Sequence, residues 1–301
     1  MIFTLQLNSM NILTFDIEEW ALAKAGGYGT TEKYAEYDAF LHRILDVLDE
    51  RDFKATFFCT GMMATDFPQV VRLIQSRGHE IGCHSFKHTW MNKMTEAEAR
   101  EDTHSAVTAL EQCIGQKVQS YRAPAFSIGE KNKWMFEILA ENGITIDSSV
   151  YPAARDFGGF PAFGPQTPCV VQHGGVSIKE YPISMTTLLG KQMAYSGGGY
   201  FRFFPLSFVK SRIAKSDYTM CYFHINDLLP EKDGVPSKEK YEAYYKEPGT
   251  LKNRYMRYMK SNLGKKGAWD KLVKLIKTEE YDNIAHSSKM IDWSKEKIVE
   301  I

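Results

Sequence analysis

The sequence lacks any run of apolar residues near the roughly 20 that a membrane-spanning helix needs. It also lacks an excess of charge of either sign, because 37 basic side chains balance 37 acidic ones. A balanced total gives the chain as a whole no attraction to nucleic acid or anionic lipid, although a local patch can exist within it. We therefore expect neither an integral membrane protein nor a nucleic-acid-binding protein.

Paired cysteine motifs and a secretory signal are missing as well. Five cysteines stand at wide spacing, and an odd number without a CxxC pair indicates free thiols in a reducing compartment. The stretch from Met1 to Asn11 has no positive charge ahead of its apolar residues and no clear cleavage site. These features predict a cytoplasmic protein, and they leave its oligomeric state open.

The first part of the 301-residue chain alternates short apolar segments with amphipathic ones. This spacing predicts five strands and four helices, and Thr95 with Glu98 forms a capping box before a helix that Gly115 closes. Alternation with short links predicts parallel strands joined by crossover helices. The expected strands are Ile12–Asp16, Ala55–Cys59, His79–Cys83, Val118–Arg122 and Ile144–Asp147, and the expected helices are Glu36–Arg51, Phe67–Arg77, Thr95–Ile114 and Lys131–Asn142.

The pattern changes between residues 151 and 204, where glycine, proline and aromatic residues dominate. His173-Gly174-Gly175 separates two apolar segments and predicts a hairpin. No Lys-Ser/Thr pair follows the run Gly197–Gly199, which argues against a phosphate-binding loop. We expect a flexible turn there, with a lid or groove wall that carries Tyr200 and Arg202 as the alternative.

Reactive side chains stand where several predicted strands end. Asp16, His84 and Arg122 each end a strand of the first part, and His224 ends a later buried strand, Tyr218–His224. Parallel β/α folds collect their reactive groups at the C-terminal ends of strands. We therefore expect these four side chains to lie close together, and a charged helical tail to follow them.

His84 and His88 have a spacing that is typical of metal ligands. They can bind one cation if the turn between them folds back, and the small Ser85 favours such a turn. A carboxylate from Asp16 or Glu18 would add a third ligand and leave a position open for water, as catalytic zinc sites do. Bound zinc lowers the pKa of water to about 7 and polarises an amide carbonyl. The alternative interpretation is that the two histidines only cap a turn.

Four segments carry the chemistry of the sequence: Thr-Phe-Asp-Ile-Glu-Glu-Trp at 14–20, Gly-His-Glu-Ile-Gly-Cys-His-Ser-Phe-Lys-His at 78–88, Tyr-Arg-Ala-Pro-Ala-Phe at 121–126 and Cys-Tyr-Phe-His at 221–224. These segments resemble the NodB-homology polysaccharide deacetylases, carbohydrate esterase family 4, and their order and spacing fit that family over roughly residues 11 to 228. Two further segments, at residues 147–152 and 197–202, resemble the subgroup linked to exopolysaccharide and O-antigen gene clusters.

The resemblance implies an α/β fold, an irregular (β/α)7 barrel. We expect the barrel to span residues 1–228, with the Gly- and aromatic-rich segment 151–204 inserted in it as a hairpin region. Residues 229–301 are expected to form a helical extension packed on the barrel.

The resemblance also implies that Asp16 is the general base and that His84 and His88 bind a divalent metal, with zinc expected. Many relatives have two adjacent aspartates, but here Ile17 follows Asp16. Because side chains alternate along a strand, Glu18 returns to the side of Asp16. We therefore expect Glu18 to be the third ligand, with Glu19 as the alternative.

Further roles follow from the same resemblance. Arg122 is expected to hold the base in place and keep it ionised, a surface salt bridge being the alternative. Pro124 is expected to shape a loop in which a backbone N–H near Ala125 and Phe126 faces the developing oxyanion. His224 is expected to be the general acid that protonates the departing amine.

Substrate contacts are expected from Trp20 and Tyr200, which can stack on sugar rings, and from Arg202 beside them; core packing is the alternative for both aromatic residues. Asp147 is expected to serve a turn, with orientation of His224 as the alternative. The relatives often have proline after this histidine, whereas here Ile225 follows it.

The whole pattern predicts a metal-dependent amidohydrolase that removes acetyl from an N-acetylated sugar, although an O-linked acetyl stays possible. The departures at Ile17 and Ile225 keep open an alternative, a catalytically inactive sugar-binding or scaffold protein on the same fold. A relative that acts without metal on a small cyclic amide is a third option, and the pair His84 and His88 speaks against it.

Overall fold

Nine strands form one sheet in the computed structural model, which describes residues 9–155, 158–229, 234–245 and 247–301. The order across this sheet is β10-β1-β2-β3-β4-β5-β7-β6-β11, and β8 and β9 form a separate hairpin. The strands are β1 Met10–Ile17, β2 Thr56–Cys59, β3 Glu80–Cys83, β4 Ser120–Tyr121, β5 Ile146–Asp147, β6 Cys169–His173, β7 Val176–Glu180, β8 Met185–Leu188, β9 Lys191–Ala194, β10 Tyr218–His224 and β11 Ile298–Glu300.

Helices connect and cover these strands. They are α1 Glu19–Ala25, α2 Thr31–Asp49, α3 Gly61–Asp66, α4 Pro68–Ser76, α5 Glu96–Ile114, α6 Met135–Glu141, α7 Gly198–Phe203, α8 Leu206–Ile213, α9 Ile225–Leu228, α10 Lys238–Tyr245, α11 Leu251–Asn262, α12 Ala268–Ile276 and α13 Ile284–Met290. The predicted capping box of α5 is confirmed, and Gly115 ends that helix at φ 67°. Helix α2 begins five residues before the expected Glu36, because the Thr30 side chain caps it by accepting from the Lys33 N–H.

Seven of the nine strands are parallel neighbours, from β10 through β5 to β7. The other two run in the opposite direction, because β6 pairs antiparallel with β7 and β11 pairs parallel with β6. The register places Asp16 beside His224, and it places Cys83 beside Tyr121. The C-terminal ends of these strands therefore lie at one edge. This confirms the predicted α/β fold with parallel strands and the predicted hairpin.

The two outer strands of the parallel set, β10 and β7, approach each other. The Tyr218 hydroxyl donates to the Pro182 carbonyl at 2.7 Å, and the Met220 N–H donates to Ser184 Oγ at 2.7 Å. Within the described residues no backbone ladder joins β10 to the segment after β7. Side-chain hydrogen bonds, rather than a strand pairing, therefore join the two outer strands and curve the sheet toward a barrel.

The expected flexible turn at Gly197–Gly199 is wrong. Gly198 begins helix α7, and Gly197 pairs as an isolated bridge with Tyr222 of β10. A Cβ on Gly197 would lie 2.4 Å from the Tyr222 carbonyl oxygen, so only glycine lets the two backbones approach this closely. The close contact at Gly197 therefore holds α7 against the barrel. This position fits the alternative expectation, in which the segment forms a groove wall.

The tail contacts the barrel where strands β2 and β3 begin. The N–H of Ile284 donates to Thr56 Oγ1 at 2.9 Å, and the N–H of Ala285 donates to Glu80 at 2.8 Å. The tail is helical as expected, but it also contains β11, which pairs with β6. The boundary at residue 228 stays a prediction.

The tail also stabilises the C-terminal end of helix α7. The Lys271 ammonium of α12 donates to the carbonyls of Phe201, Arg202 and Phe204, which are left free at the end of α7. A cation at a helix C-terminus is favoured by the helix dipole. Helix α7 is therefore held by glycine contact at one end and by a lysine at the other.

We expect Gly197→Ala to destabilise the protein by about 1–3 kcal/mol, because the new methyl group overlaps the β10 backbone. Gly199→Ala is the matched control, since its Cβ would meet only the Arg202 guanidinium at 3.4 Å. Urea unfolding of both variants measures the difference. Equal stabilities would contradict the close approach at Gly197.

Candidate metal and catalytic site

The expected side chains converge at the C-terminal edge of the sheet. Asp16 lies near the end of β1, His84 directly follows β3, Arg122 follows β4, and His224 ends β10. Glu18 lies between β1 and α1, where the chain turns into the helix. Four separate strands therefore supply one site, as the sequence predicted.

Glu18, His84 and His88 form a cluster that has the composition of a metal site. Oε2 of Glu18 lies 2.6 Å from Nε2 of His88 and 3.3 Å from Nε2 of His84. Burial alone would raise the pKa of Glu18, but His88, His84 and His224 hold it well below its ordinary value. The carboxylate is thus held ionised among imidazole nitrogens.

Two buried atoms of this cluster fit a cation. Glu18 Oε2 and His84 Nε2 are inaccessible and have no partner in hydrogen-bond geometry. Nδ1 of His84 lies 2.7 Å from the Arg122 carbonyl oxygen, which can only accept, so Nδ1 carries the proton. The lone pair of Nε2 therefore faces the cluster, as in metal sites where a carbonyl orients the ligand.

The backbone between the two histidines folds back through an unusual conformation. Ser85 and His88 have φ values of 62° and 60°, in a region that non-glycine residues rarely adopt. Ser85 Oγ accepts from the His88 N–H at 3.0 Å and stabilises the turn. Such backbone outliers persist where their surroundings enforce them. Here the turn brings both imidazoles to one carboxylate.

Asp16 is held by a buried arginine. Nη1 of Arg122 lies 2.9 Å from Oδ1 of Asp16 and 2.7 Å from Oγ1 of Thr14, while the rest of the guanidinium donates to Ser148. Arg122 is 0% exposed, so the alternative of a surface salt bridge is wrong. The second oxygen of Asp16 stays directed at the site, 3.9 Å from His84 Nε2 and 3.6 Å from His224 Nε2.

Glu19, the alternative third ligand, is engaged elsewhere. Its Oε1 accepts from the Asn226 N–H at 3.0 Å, and Oε2 faces the Glu18 N–H at 3.3 Å. Burial and the charge of Glu18 raise the pKa of Glu19 to about 7. This side chain joins the start of α1 to the start of α9, and the structure groups Glu18 with the histidines instead.

His224 has a partner that the sequence did not identify. Its Nδ1 and its backbone N–H both bond to Oδ2 of Asp227, at 2.9 and 3.1 Å. Burial alone would lower the pKa of His224, but Asp227, with Glu18 and Asp16, raises it well above its ordinary value. The spacing of three residues is that of a capping box, which is the signal that could have indicated this pair.

Asp147 does not contact His224 through any recorded bond among the described residues. It accepts from Ser149 at 2.6 Å, and Ser149 in turn accepts from the Ala123 N–H at 2.7 Å. Burial raises the pKa of Asp147, although hydrogen bonds with Glu180 and Ser149 oppose that shift. The favoured expectation, a turn aspartate, fits this geometry better than orientation of His224.

The loop after Arg122, the expected oxyanion segment, has a backbone conformation that non-glycine residues rarely adopt. Ala125 and Phe126 have φ values of 55° and 54°, inside a short 3-10 turn that Pro124 begins. The Phe126 N–H donates to the Ala123 carbonyl at 3.0 Å. The N–H of Ala125 is therefore the better candidate of the two expected donors.

A cavity of about 570 Å³ opens over Asp16 and His224. Its wall comes from the loop after β4, from the β8–β9 hairpin, from α7 and from the end of α11. The sequence identified Tyr200 in this wall but missed its two cations, Arg155 and Lys260. The lining residues are Asp16, Ala123, Ala125, Phe126, Arg155, Leu188, Met193, Gly198, Gly199, Tyr200, Phe203, Phe204, Tyr222, His224, Asp227, Lys260 and Leu263.

Two expected substrate contacts need correction. Trp20 is 1% exposed, because α1 turns it into the core against Tyr37, and its Nε1 donates to Asp38. Arg202 is also largely buried and does not line the cavity; it bonds to the Ser261 carbonyl and lies 3.5 Å from Asp227 Oδ1. Arg202 therefore stabilises Asp227, the partner of His224, instead of contacting substrate.

Comparison with known proteins agrees with this geometry. Residues 10–146 match the family model "Polysaccharide deacetylase", and residues 148–288 match a model described as a domain of unknown function, DUF3473. A crystal structure from Mycobacterium smegmatis, provisionally assigned as a polysaccharide deacetylase, superposes with a TM-score of 0.64 at 18% identity, covering 100% of this chain and 96% of that one. That likeness shows the fold.

Two curated relatives match the first part of the chain. A peptidoglycan-N-acetylglucosamine deacetylase of Bacillus cereus is 33% identical over 40% of this chain and 46% of its own length. A chitooligosaccharide deacetylase of Sinorhizobium fredii is 31% identical over 33% of this chain and 48% of its own length. The matches thus span about half the length of these relatives. With the family model, they support a place for residues 10–146 in the polysaccharide deacetylase family.

Replacing both histidines (His84→Ala with His88→Ala) should abolish high-affinity binding of a divalent cation, because one carboxylate cannot hold it alone. Elemental analysis of the purified protein measures this. The control is His104→Ala with His286→Ala, which removes two exposed imidazoles and should leave the metal content unchanged. Equal metal content in both double variants would exclude the assigned site.

Proposed function

We propose that this protein is a metal-dependent carbohydrate deacetylase that hydrolyses the acetamide of an N-acetylated sugar. One observation carries the proposal: Asp16 and His224 face each other across the floor of one cavity, beside the cluster of Glu18, His84 and His88. A proton acceptor, a proton donor and a cation site thus surround the space where an amide carbon would lie.

When a divalent cation such as zinc is bound by Glu18, His84 and His88, it supplies a Lewis acid and a water of lowered pKa. Asp16 accepts the proton of the attacking water through the oxygen that Arg122 does not hold. The N–H of Ala125 faces the oxygen that gains negative charge. His224, fixed by Asp227, donates a proton to the departing nitrogen. The C–N bond breaks, and acetate and a free amine leave.

The two sequence departures that favoured a catalytically inactive protein, Ile17 and Ile225, do not disturb the candidate site. Ile17, which replaces the second aspartate of the family motif, is 0% exposed and belongs to the core of the barrel. Ile225 is buried as well, and Asp227 supplies the partner that the changed turn left uncertain. Both departures leave the facing pair of Asp16 and His224 in place.

We propose further that the substrate is a precursor or short glycan of a surface polysaccharide, and that the protein acts in the cytoplasm. The resemblance of residues 147–152 and 197–202 to the exopolysaccharide-associated subgroup supports the substrate. All five cysteines are free thiols, four of them buried, which suits a reducing compartment. The aromatic wall at Tyr200 and the cations Arg155 and Lys260 suit a sugar that carries phosphate.

Acetate release tests the activity. The metal-loaded protein should release acetate from N-acetylated oligosaccharides or from their nucleotide- or lipid-linked precursors, and Asp16→Asn should fold, keep metal and lose a factor of about 10² to 10⁴ in kcat. If Asp16→Asn loses metal while Glu18→Gln retains it, the two roles are exchanged. Binding of these sugars without acetate release would favour the inactive binder, and activity on polymeric cell-wall glycan alone would contradict the precursor.

The role of His224 is tested by comparing two leaving groups. His224→Ala should slow amide cleavage much more than cleavage of an activated ester, because an amine leaves poorly without a proton whereas a phenol leaves readily. Asp227→Asn should show the same selectivity to a smaller degree, since the histidine keeps its place but loses its anionic partner. An equal loss on both substrates would show that His224 only positions the substrate.

A further inference from the structure

Helix α11 presents its apolar side to solvent. Leu251, Tyr255, Met256 and Met259, with Leu263 directly after the helix, are each at least 45% exposed. Leu251, Tyr255, Met259 and Leu263 recur every four residues and Met256 lies three residues before Met259, so the five side chains form one stripe. A surface helix of a globular protein normally turns such a stripe to the core, but no residue of α11 is buried.

Polar contacts hold α11 in this orientation. Nη1 of Arg254 donates to the Pro236 carbonyl at 3.0 Å, and the Ser261 carbonyl accepts from Arg202. Asn253 and Arg257 also point toward the protein, where they contact Pro248 and Glu247. The helix therefore docks through its polar side, and the outward stripe is a feature of the fold.

The charge of α11 has one sign. Lys252, Arg254, Arg257 and Lys260 are basic, and the helix contains no acidic residue, although the chain as a whole is neutral. Lys252 and Lys260 are exposed beside the apolar stripe. A basic amphipathic helix with an unburied apolar side is typical of segments that lie in the interface of an anionic membrane.

The stripe is continuous with the mouth of the cavity. Lys260 and Leu263 line the cavity, and so does Phe203 of α7, which is 65% exposed. Leu188 lines it too, and the next residue, Leu189 at the tip of the β8–β9 hairpin, is 95% exposed. We call this surface the docking face: Leu189, Phe203, Leu251, Lys252, Tyr255, Met256, Met259, Lys260 and Leu263.

We propose that the docking face binds the surface of an anionic lipid bilayer. The apolar side chains enter the boundary between headgroups and acyl chains, and the two lysines meet anionic headgroups. A second copy of the chain is a poorer occupant, because a two-fold interface here would bring the lysines of one copy close to those of the other. Bilayer binding does not depend on the proposed reaction, but it would place the cavity mouth where lipid-linked glycans lie.

Vesicle flotation tests the docking face without any substrate, so its outcome is independent of deacetylation. The full chain should float with phosphatidylcholine vesicles that contain about 30% phosphatidylglycerol and should bind pure phosphatidylcholine far less. The triple variant Tyr255→Ser, Met256→Ser and Met259→Ser should bind the anionic vesicles at least about tenfold more weakly, because three inserted side chains are lost. Lys252→Glu should weaken binding about fivefold or more.

The matched control is Lys289→Glu with Met290→Ser, an exposed lysine–methionine pair at the end of α13, which should bind as the unaltered protein does. Circular dichroism and metal content check that each variant folds. Three results would overturn the proposal: no binding to anionic vesicles, unchanged binding by the triple variant, or an equal loss in the control. A concentration-dependent dimer that the triple variant abolishes, without vesicle binding, would assign the face to a second copy.

Discussion

A single buried arginine organises the site from both of its ends. The Arg122 guanidinium lies between β1 and the residues after β5, where it neutralises Asp16 and bonds to Thr14 and Ser148. The carbonyl of the same residue fixes the ring of His84. Burying a guanidinium is costly unless its N–H groups have acceptors, and Asp16, Thr14 and Ser148 together supply them. The same contact therefore serves the stability of the barrel and the geometry of the site.

The sequence predicted the residues that stand at strand ends, because strand order and periodicity place Asp16, His84, Arg122 and His224 on one edge whatever the details of packing. It failed where a local element was not recognised. The helix that begins at Glu19 turns Trp20 into the core, and nothing in the alternation of the preceding strand indicates that helix.

Other parts of the site depend on packing between distant segments. Lys260 reaches the cavity because α11 lies beside α7, where Arg202 bonds to the Ser261 carbonyl, and α7 is itself held by Lys271 of α12. Neither bond leaves a pattern in the sequence, since a carbonyl accepts from any donor. The first part of the chain carries the candidate cation cluster and Asp16, whereas the second part, matched by a model of unknown function, supplies His224 and most of the cavity wall.

The three side chains of the candidate cation cluster all lie before residue 90, whereas His224, Asp227 and most of the cavity wall come from far later in the chain. Synthesis on the ribosome runs from the N-terminus, so the nascent chain carries Glu18, His84 and His88 long before it carries His224. A chain cut short in its second half would keep these three side chains but would lack His224 and most of the cavity wall. The candidate cation site and the proposed proton donor are thus separated in the order of synthesis.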